Sequence, residues 1–269
     1  MMVERTSSRF GTVRPPGPNQ RGRKMAIDEG GTIAFSEIDS ERFGVRVARA
    51  QVEGKNLPQI IDFCATEQIK LLIARCATKE LRTVQEMESR GFLLMDTLVY
   101  YSFDLTECTI PADAPRALIR KFVREDTAQV ETVAAAAFKG YYGHYHADPK
   151  LDQRKCDEGY VSWAVRSCTS KEVATEVLVA EIDKKVLGFL TLRLNGPKEM
   201  EGLLFGVAPE VRGVGVGRSL MVNGLELCKK QQANRMLIST QVTNVAAQKV
   251  WCRVGFEPAY SYYTLHKWF

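Results

Sequence analysis

The chain predicts an α/β protein: a mixed, strongly twisted sheet with helices on both faces, preceded by a shorter αβ unit of similar build. Three observations predict it. From about residue 43 strand-like and helix-like segments alternate to the last residue. At 208–221, APEVRGVGVGRSLM, alternating glycines join a strand-like run to an apolar helix-like one. A strand–helix–strand pattern also recurs, KLLIARC, LRTVQEMESRGF and LLMDTLVYY being echoed by RMLISTQV, AAQKVWCRVGF and SYYTLHKW. Both helices of the echo end in Gly-Phe, Gly91–Phe92 and Gly255–Phe256, where glycine suits a left-handed C-cap. At 269 residues, 45% hydrophobic and 26% charged, the chain has ample core for such a fold.

Residues 1–28 are rich in Arg, Gly, Pro and Ser without apolar periodicity and are expected to be a disordered basic tail. Residues 29–110 form the first unit: strand FGVRVARA, helix LPQIIDFCATEQ, strand KLLIARC, helix ELRTVQEMESRGF, and LLMDTLVYYSFDL as a long strand or hairpin arm. TECTIPADAP, with two prolines, breaks the pattern and marks a domain boundary before residue 111. In the second unit, 111–269, a strand leads to Asp126, a helix N-cap with Gln129 as capping-box partner. An aromatic, histidine-bearing loop and a helix follow, then two strands about a turn at Asp183–Lys185, the strand EGLLFGV and the helix RSLMVNGLELCKKQQA. The strand RMLISTQV, the helix NVAAQKVWCRVGF and the strand AYSYYTLHKWF close the chain.

The net charge of +5 sits in the first 24 residues, where six basic side chains face Glu4 alone. The remaining chain is formally neutral, so no bulk field argues for a nucleic-acid partner. No apolar run is long enough to span a membrane, and none resembles a secretory signal. Seven scattered cysteines without a C-x-x-C pair read as reduced thiols in a cytoplasmic protein, with no zinc framework.

Alternating glycines before a helix let backbone approach a phosphate. A Rossmann loop does not fit, because Gly213-x-Gly215-x-x ends on Arg218 and no acidic ribose ligand follows at a strand end. A Walker loop fails for want of Gly-Lys-Ser/Thr. What remains is R-x-x-G-x-G, on Arg212, Gly215 and Gly217. It resembles the acyl-CoA pyrophosphate loop of the GCN5-related N-acetyltransferase (GNAT) family. The downstream TNVAAQKVWCRVGF is similar to that family's N-x-x-A-x-x-[LV]-[YW]-x-x-x-G-F segment, at Asn244, Ala247, Val250, Trp251, Gly255 and Phe256. The resemblance covers about 115–269. It implies a mixed, twisted GNAT sheet preceded by a partial GNAT-like half-domain, and acetyl-CoA as co-substrate. Implied cofactor contacts are Phe205, Val207, the loop Arg212, Gly213, Val214, Gly215, Val216, Gly217, Arg218 and Ser219, and then Asn244 and Trp251. A closer resemblance, carried by the partial GNAT-like N-terminal half, STQVTN and the aromatic loop, is to the dTDP-fucosamine acetyltransferase group. It implies the amine of a nucleotide-linked 4,6-dideoxyhexose as acceptor, and a homodimer.

Direct attack of an amine on the thioester needs a base, an oxyanion donor and a home for the leaving thiolate. The backbone N–H of Val207 is the expected oxyanion donor, since Pro209 has none. The family's tyrosine acid is replaced by Trp251, which cannot release a proton at neutral pH. Tyr263, or its neighbour Tyr262, offers a hydroxyl, and strand alternation turns only one of them inward. In YYGHYHADP, Tyr142, His144, Tyr145, His146 and Asp148 are expected over the acceptor, with His146 or Asp148 as base. His266 is expected to be a packed, hydrogen-bonded histidine. No metal is expected. The alternatives kept open are another small-molecule or peptide amine, or a non-catalytic acyl-CoA-binding module.

Overall fold

The computed structural model describes residues 25–26 and 32–269 except 114. The first unit contains β1 (Met25–Ala26), β2 (Thr32–Phe35), α1 (Glu37–Phe43), β3 (Val47–Val52), α2 (Leu57–Thr66), β4 (Leu71–Ala77), α3 (Leu81–Ser89) and β5 (Leu93–Asp104). The second contains β6 (Leu118–Lys121), α4 (Thr127–Ala137), α5 (Gln153–Thr169), β7 (Glu176–Ile182), β8 (Lys185–Gly196) and β9 (Glu199–Val207). It ends with α6 (Val216–Lys230), β10 (Arg235–Gln241), α7 (Val245–Val254) and β11 (Glu257–Trp268). The α/β class and the twisted mixed sheet expected from the sequence are what the chain adopts.

All strands join one 11-stranded sheet in the order β1-β2-β3-β4-β11-β5-β10-β9-β8-β7-β6. Only β3·β4 and β9·β10 are parallel; every other pair is antiparallel. The recurring strand–helix–strand pattern explains the order. β4-α3-β5 and β10-α7-β11 interleave, so that each unit's last strand lies beside the other unit's first. Both helices stop at a left-handed glycine, Gly91 (φ 82°) and Gly255 (φ 107°), as the Gly-Phe repeat predicts. The following Phe92 and Phe256 enter the core at 1% and 2% exposure.

Strand alternation sorts side chains between two faces. On one face α2 and α3 cover Ala48, Ala50, Leu72, Ala74 and Leu265, while α6 and α7 cover Tyr101, Phe103, Met236 and Ile238. On the other, α4 and α5 cover Val179, Phe189 and Leu204, and the 141–152 segment with α5 covers Val47, Leu71 and Ile73. This second face spans both units, because β11 carries it across the junction.

The segment 93–104 is one continuous strand, one of the two forms the sequence left open. Three expectations need correction or restriction. The boundary at 106–115 marks where the chain leaves the sheet centre for its far edge, but the sheet is not cut there. Asp126 makes no side-chain cap to α4; its carboxylate accepts from Val123 N (2.9 Å) and pairs with Arg120 (2.7 Å). Gln129 accepts from Val186 N instead, pinning α4 to β8 at 2.9 Å. Of the tail expected over 1–28, Met25–Ala26 pair with β2 as an edge strand, and the remainder lies outside the described residues. Among the described residues no helix is long and apolar enough to cross a membrane.

Candidate functional site

The site begins where a parallel pair comes apart. β9 and β10 are paired from Glu199↔Arg235 to Gly202↔Ile238 and then diverge. A bulge between the Thr191 and Leu192 pairings of β8 re-aims the rest of β9, and Leu204 N turns to the Thr191 hydroxyl (3.0 Å). Ala208 N donates to Leu187 O on β8 at 2.8 Å. By alternation, the amides of Phe205 and Val207 point the opposite way, into the gap that β10 has left. The sequence placed its oxyanion donor on this stretch, at Val207, and both amides face the opening.

At the end of β9 the chain turns through a short 3-10 segment, Pro209–Val211, into α6. Gly213 (φ 79°) and Gly215 (φ 102°) occupy the left-handed region that the turn requires. The first intrahelical bond is Ser219 N to Gly215 O, which leaves the amides of 216–218 as unpaired helix N-terminal donors. Gly217 lies against the strand: a Cβ there would come within 2.9 Å of the Phe205 ring. Two expected contacts are arranged differently. Arg218 donates to Ala112 O (2.9 Å), and the buried Ser219 hydroxyl to Asp113 (3.0 Å), so both anchor α6 to the linker. Arg212 donates to Ala137 O at 3.1 Å and remains exposed. Val214 is exposed and Val216 packs in the core beneath the helix.

The β9/β10 opening leads into a cavity of about 220 Å³ that passes through the sheet. On the α7 side it is lined by Thr240, Asn244, Ala247 and Trp251. Asn244 caps α7 through Ala247 N (3.3 Å) and bonds the Thr240 hydroxyl (2.9 Å). Trp251 is 2% exposed, and its Nε1 has no hydrogen-bond partner. A buried indole N–H without an acceptor is costly unless a ligand supplies one. Tyr141 brings a hydroxyl to the same lip, 3.2 Å from Thr240 Oγ1.

On the other face both units contribute to the lining. It includes Asp39 and Arg42 from α1, Arg49 from β3 and Arg75 from β4, with Arg166 on α5 and Arg193 and Glu201 on β8 and β9. Asp39 takes Arg49 at 2.6 Å and Arg42 at 3.4 Å; Glu201 takes Arg193 at 2.7 Å. Burial would raise the Asp39 carboxyl, but the Arg49 charge and bonds from Arg49, Ser36 and Tyr145 outweigh it and hold it well below the usual range.

His144, 5% exposed, reaches the cavity from the 139–152 segment. Its Nδ1 lies 2.9 Å from His266 Nε2, and His266 Nδ1 lies 2.7 Å from Asp148 Oδ2. Trp268 Nε1 donates to the same oxygen at 2.9 Å. Burial would raise the Asp148 carboxyl, but bonds from His266, Trp268 and Lys150 N hold it below its ordinary value. An ionised Asp148 fixes the tautomers: His266 carries its proton on Nδ1, so His144 donates from Nδ1 and keeps a lone pair on Nε2. Burial, then the charges of His266, Arg49, Arg75 and His146, push the His144 pKa well below 6.5. His144 is therefore neutral at neutral pH.

The aromatic loop is thus divided. His144 and Tyr145 line the cavity, and the Tyr145 hydroxyl is held by Asp39 at 2.7 Å. Asp148 stands behind His266, away from the lining. His146, expected as the base, turns to Asp157 (3.1 Å) outside the cavity, and Tyr142 is 66% exposed. Tyr263 packs toward the α2–α3 core, whereas Tyr262 lies with Leu98 and Tyr100 on the cavity face. His266 is packed and hydrogen-bonded as expected, but it is also the middle of the chain that orients His144. The arginines were missed because isolated arginines in separate strands carry no spacing signal. His266 shares strand parity with Thr264 and Trp268, and that was the available signal. Among the described residues no group of His, Cys, Asp and Glu could hold a metal ion.

Residues 135–256 match the model of the acetyltransferase (GNAT) family. The spore coat polysaccharide biosynthesis protein SpsD of Bacillus subtilis is 27% identical over 124 residues, 46% of this chain and 42% of that protein. The chain spans about two fifths of the length of the curated relatives it matches. A GCN5-related N-acetyltransferase from Sphaerobacter thermophilus shares the fold, with TM-score 0.61 and 15% identity over 88% of this chain and 76% of that one. A tandem GNAT protein from the clavulanic acid biosynthesis pathway shares it with TM-score 0.57 and 12% identity, over 88% and 78%.

Proposed function

We propose that this chain, which belongs to the GNAT acetyltransferase family through residues 135–256, transfers acetyl from acetyl-CoA to the amine of an acceptor held in the cavity. The observation that carries this reading is the opening between β9 and β10. It sets Phe205 and the His144 imidazole on one passage through the sheet, with the Val207 amide and the α6 N-terminus beside Phe205 at its edge. Acetyl-CoA would supply a thioester carbonyl and, as leaving group, a thiol that departs readily as thiolate near its pKa of about 8.5. The amides of 216–218 would hold the pyrophosphate, with Gly217 keeping that approach clear. Asn244 and Trp251 would flank the pantetheine arm and sulfur, where the unpartnered Trp251 N–H finds its acceptor.

His144 Nε2 takes the proton as the amine nitrogen bonds to the carbonyl carbon and the C–S bond breaks. The charge it acquires is stabilised by Asp148 through His266, which also holds the ring in place. The Phe205 and Val207 amides stabilise the carbonyl oxygen as negative charge develops on it.

For the acceptor, the finer reading is the amine of a nucleotide-linked 4-amino-4,6-dideoxyhexose. It is supported by a relative named for polysaccharide biosynthesis and by an arginine-rich lining suited to a diphosphate. The second reading, a peptide amine, has support from a Bacillus subtilis relative named as a ribosomal-protein alanine N-acetyltransferase. The scattered, odd-numbered cysteines support a reducing, cytoplasmic setting for the reaction. Thiol release from acetyl-CoA, measured with dTDP-4-amino-4,6-dideoxyhexose and with an alanine-initiated peptide, is the test. Release with the sugar alone is the expected result; release with the peptide alone moves the acceptor to the second reading. Tight CoA binding without release on either removes the catalytic reading for both.

A further inference from the structure

Formal neutrality of the chain after residue 24 conceals a local imbalance. The cavity lining gathers five arginines, Arg42, Arg49, Arg75, Arg166 and Arg193, against only two carboxylates, Asp39 and Glu201. Arg49 and Arg193 are matched by Asp39 and Glu201 at 2.6 and 2.7 Å, and Arg42 has a weaker, shared claim on Asp39 at 3.4 Å. Arg75 and Arg166 have no ion pair among the described residues, and neither makes a side-chain hydrogen bond to any of them. Both are only partly exposed. Burial and then the nearby Arg42 charge lower the Arg166 pKa, so its charged form is held there at a cost.

The surroundings are shaped around these groups. Gly159 on α5 lies where a Cβ would sit 3.4 Å from the Arg42 guanidinium, so α5 leaves room for the cation between two helices. Tyr145 and Trp163 supply flat apolar wall beside it, and Arg42 lies 5.8 Å from the Tyr145 ring centroid. Crowded guanidinium groups in a half-buried wall are destabilising unless an anion offsets them. The α6 N-terminus, where the CoA pyrophosphate is assigned, is a separate feature at the start of a helix on the opposite face of the sheet.

We propose that Arg166, Arg42 and Arg75 form an anion subsite, so that the acceptor is an amine carrying a phosphate or carboxylate that these guanidinium groups bind. The subsite rests on the acetyl-transfer reading only for the acceptor's amine; the anion preference stands on the lining itself. It also accounts for the first unit, which has no glycine loop, since α1 and β4 select the acceptor while the second unit holds the donor. A planar guanidinium binds either anion through paired N–H donors, which a lysine could not reproduce with the same geometry.

The test uses the full chain saturated with CoA, so that the donor's own phosphates are already placed. Affinity is measured by tryptophan fluorescence for two matched pairs, glucosamine 1-phosphate against glucosamine and alanine against alaninamide. The anionic member of at least one pair should bind ~10-fold or more tightly, the scale of one charge-assisted bond. The pair showing the larger gap identifies phosphate or carboxylate as the source. Arg166→Met should remove the gap while leaving CoA affinity unchanged, and Arg166→Lys should restore part of it, which separates a binding role from a folding one. Should Arg166→Met not fold, Arg75→Met carries the same expectation. Equal affinities within both pairs, no binding of any of the four, or a gap that survives both substitutions would overturn the subsite. Thiol release from acetyl-CoA is read separately with the same four acceptors, in solutions without added CoA. An anion gap without release keeps the subsite and rejects acetyl transfer, and release without a gap does the reverse.

Discussion

The two parallel strand pairs of the sheet occupy matching places in the two interleaved units, yet only one of them is open. β3 and β4 stay in register over six pairs, from Val47↔Leu71 to Val52↔Cys76, with α2 packed across them. β9 and β10 hold four pairs and then separate. The turns that follow differ in the same sense. After β3 four residues suffice: the Asn56 side chain accepts from Glu53 N at 3.0 Å, and Pro58 starts α2. After β9 the chain needs a 3-10 segment and two left-handed glycines before α6. A parallel pair that is zipped to its end satisfies its own amides and leaves nothing to bind with. One that opens early exposes amides, a helix N-terminus and a passage through the sheet. The same architecture therefore yields a closed pair in one copy and an open pair, the proposed donor site, in the other.

The largest expected effect comes from closing the open copy. Gly217→Trp fills the space against Phe205 and should weaken acetyl-CoA binding at least ~100-fold, the loss of two or more charge-assisted bonds. Unchanged affinity by calorimetry would remove the α6 N-terminus from the donor site. Next is His144→Gln, which keeps most of the bulk and removes the base. Turnover should fall ~10²–10⁴-fold with acetyl-CoA affinity preserved; wild-type kinetics would exclude His144 from proton transfer. His266→Gln, acting through its neighbour, should cost less, ~10- to 100-fold in kcat, as orienting partners do.

The pH profile sharpens the same point. Because the folded pKa of His144 is depressed, the acid limb of kcat/KM should fall below pH 6.5, and a limb above it would contradict a buried neutral base. Stability should move in the same direction. The unfolded chain protonates His144 at the ordinary value while the folded chain resists, so this contribution is present above pH 6.5 and is lost as pH falls through the folded pKa. The smallest effect belongs to the closed copy. Asn56→Ala should lower stability by about 1 kcal/mol through its lost turn bond, with acetyl-CoA affinity untouched. A matching loss of affinity would show that the two copies are coupled.

By itself the sequence determined what local chemistry dictates. The order of strands and helices follows from apolar spacing, the helix ends at Gly91 and Gly255 from backbone freedom, and the position of the α6 N-terminus from the glycines after Val211. Those features depend on neighbours within a few residues. Only the tertiary structure decided that β11 enters between β4 and β5, because pairing across the two units is set by which edges and faces can be buried together. That one insertion brings His266 beneath the loop bearing His144, and it brings Arg75 and Arg49 into the same wall as Glu201. It also separates His144 from His146, two residues apart in the chain: His144 turns inward to His266, and His146, a base expected from the sequence, turns toward Asp157. The groups proposed to catalyse and to select come from elements that are distant in sequence, and the interleaved sheet is what places them around one cavity.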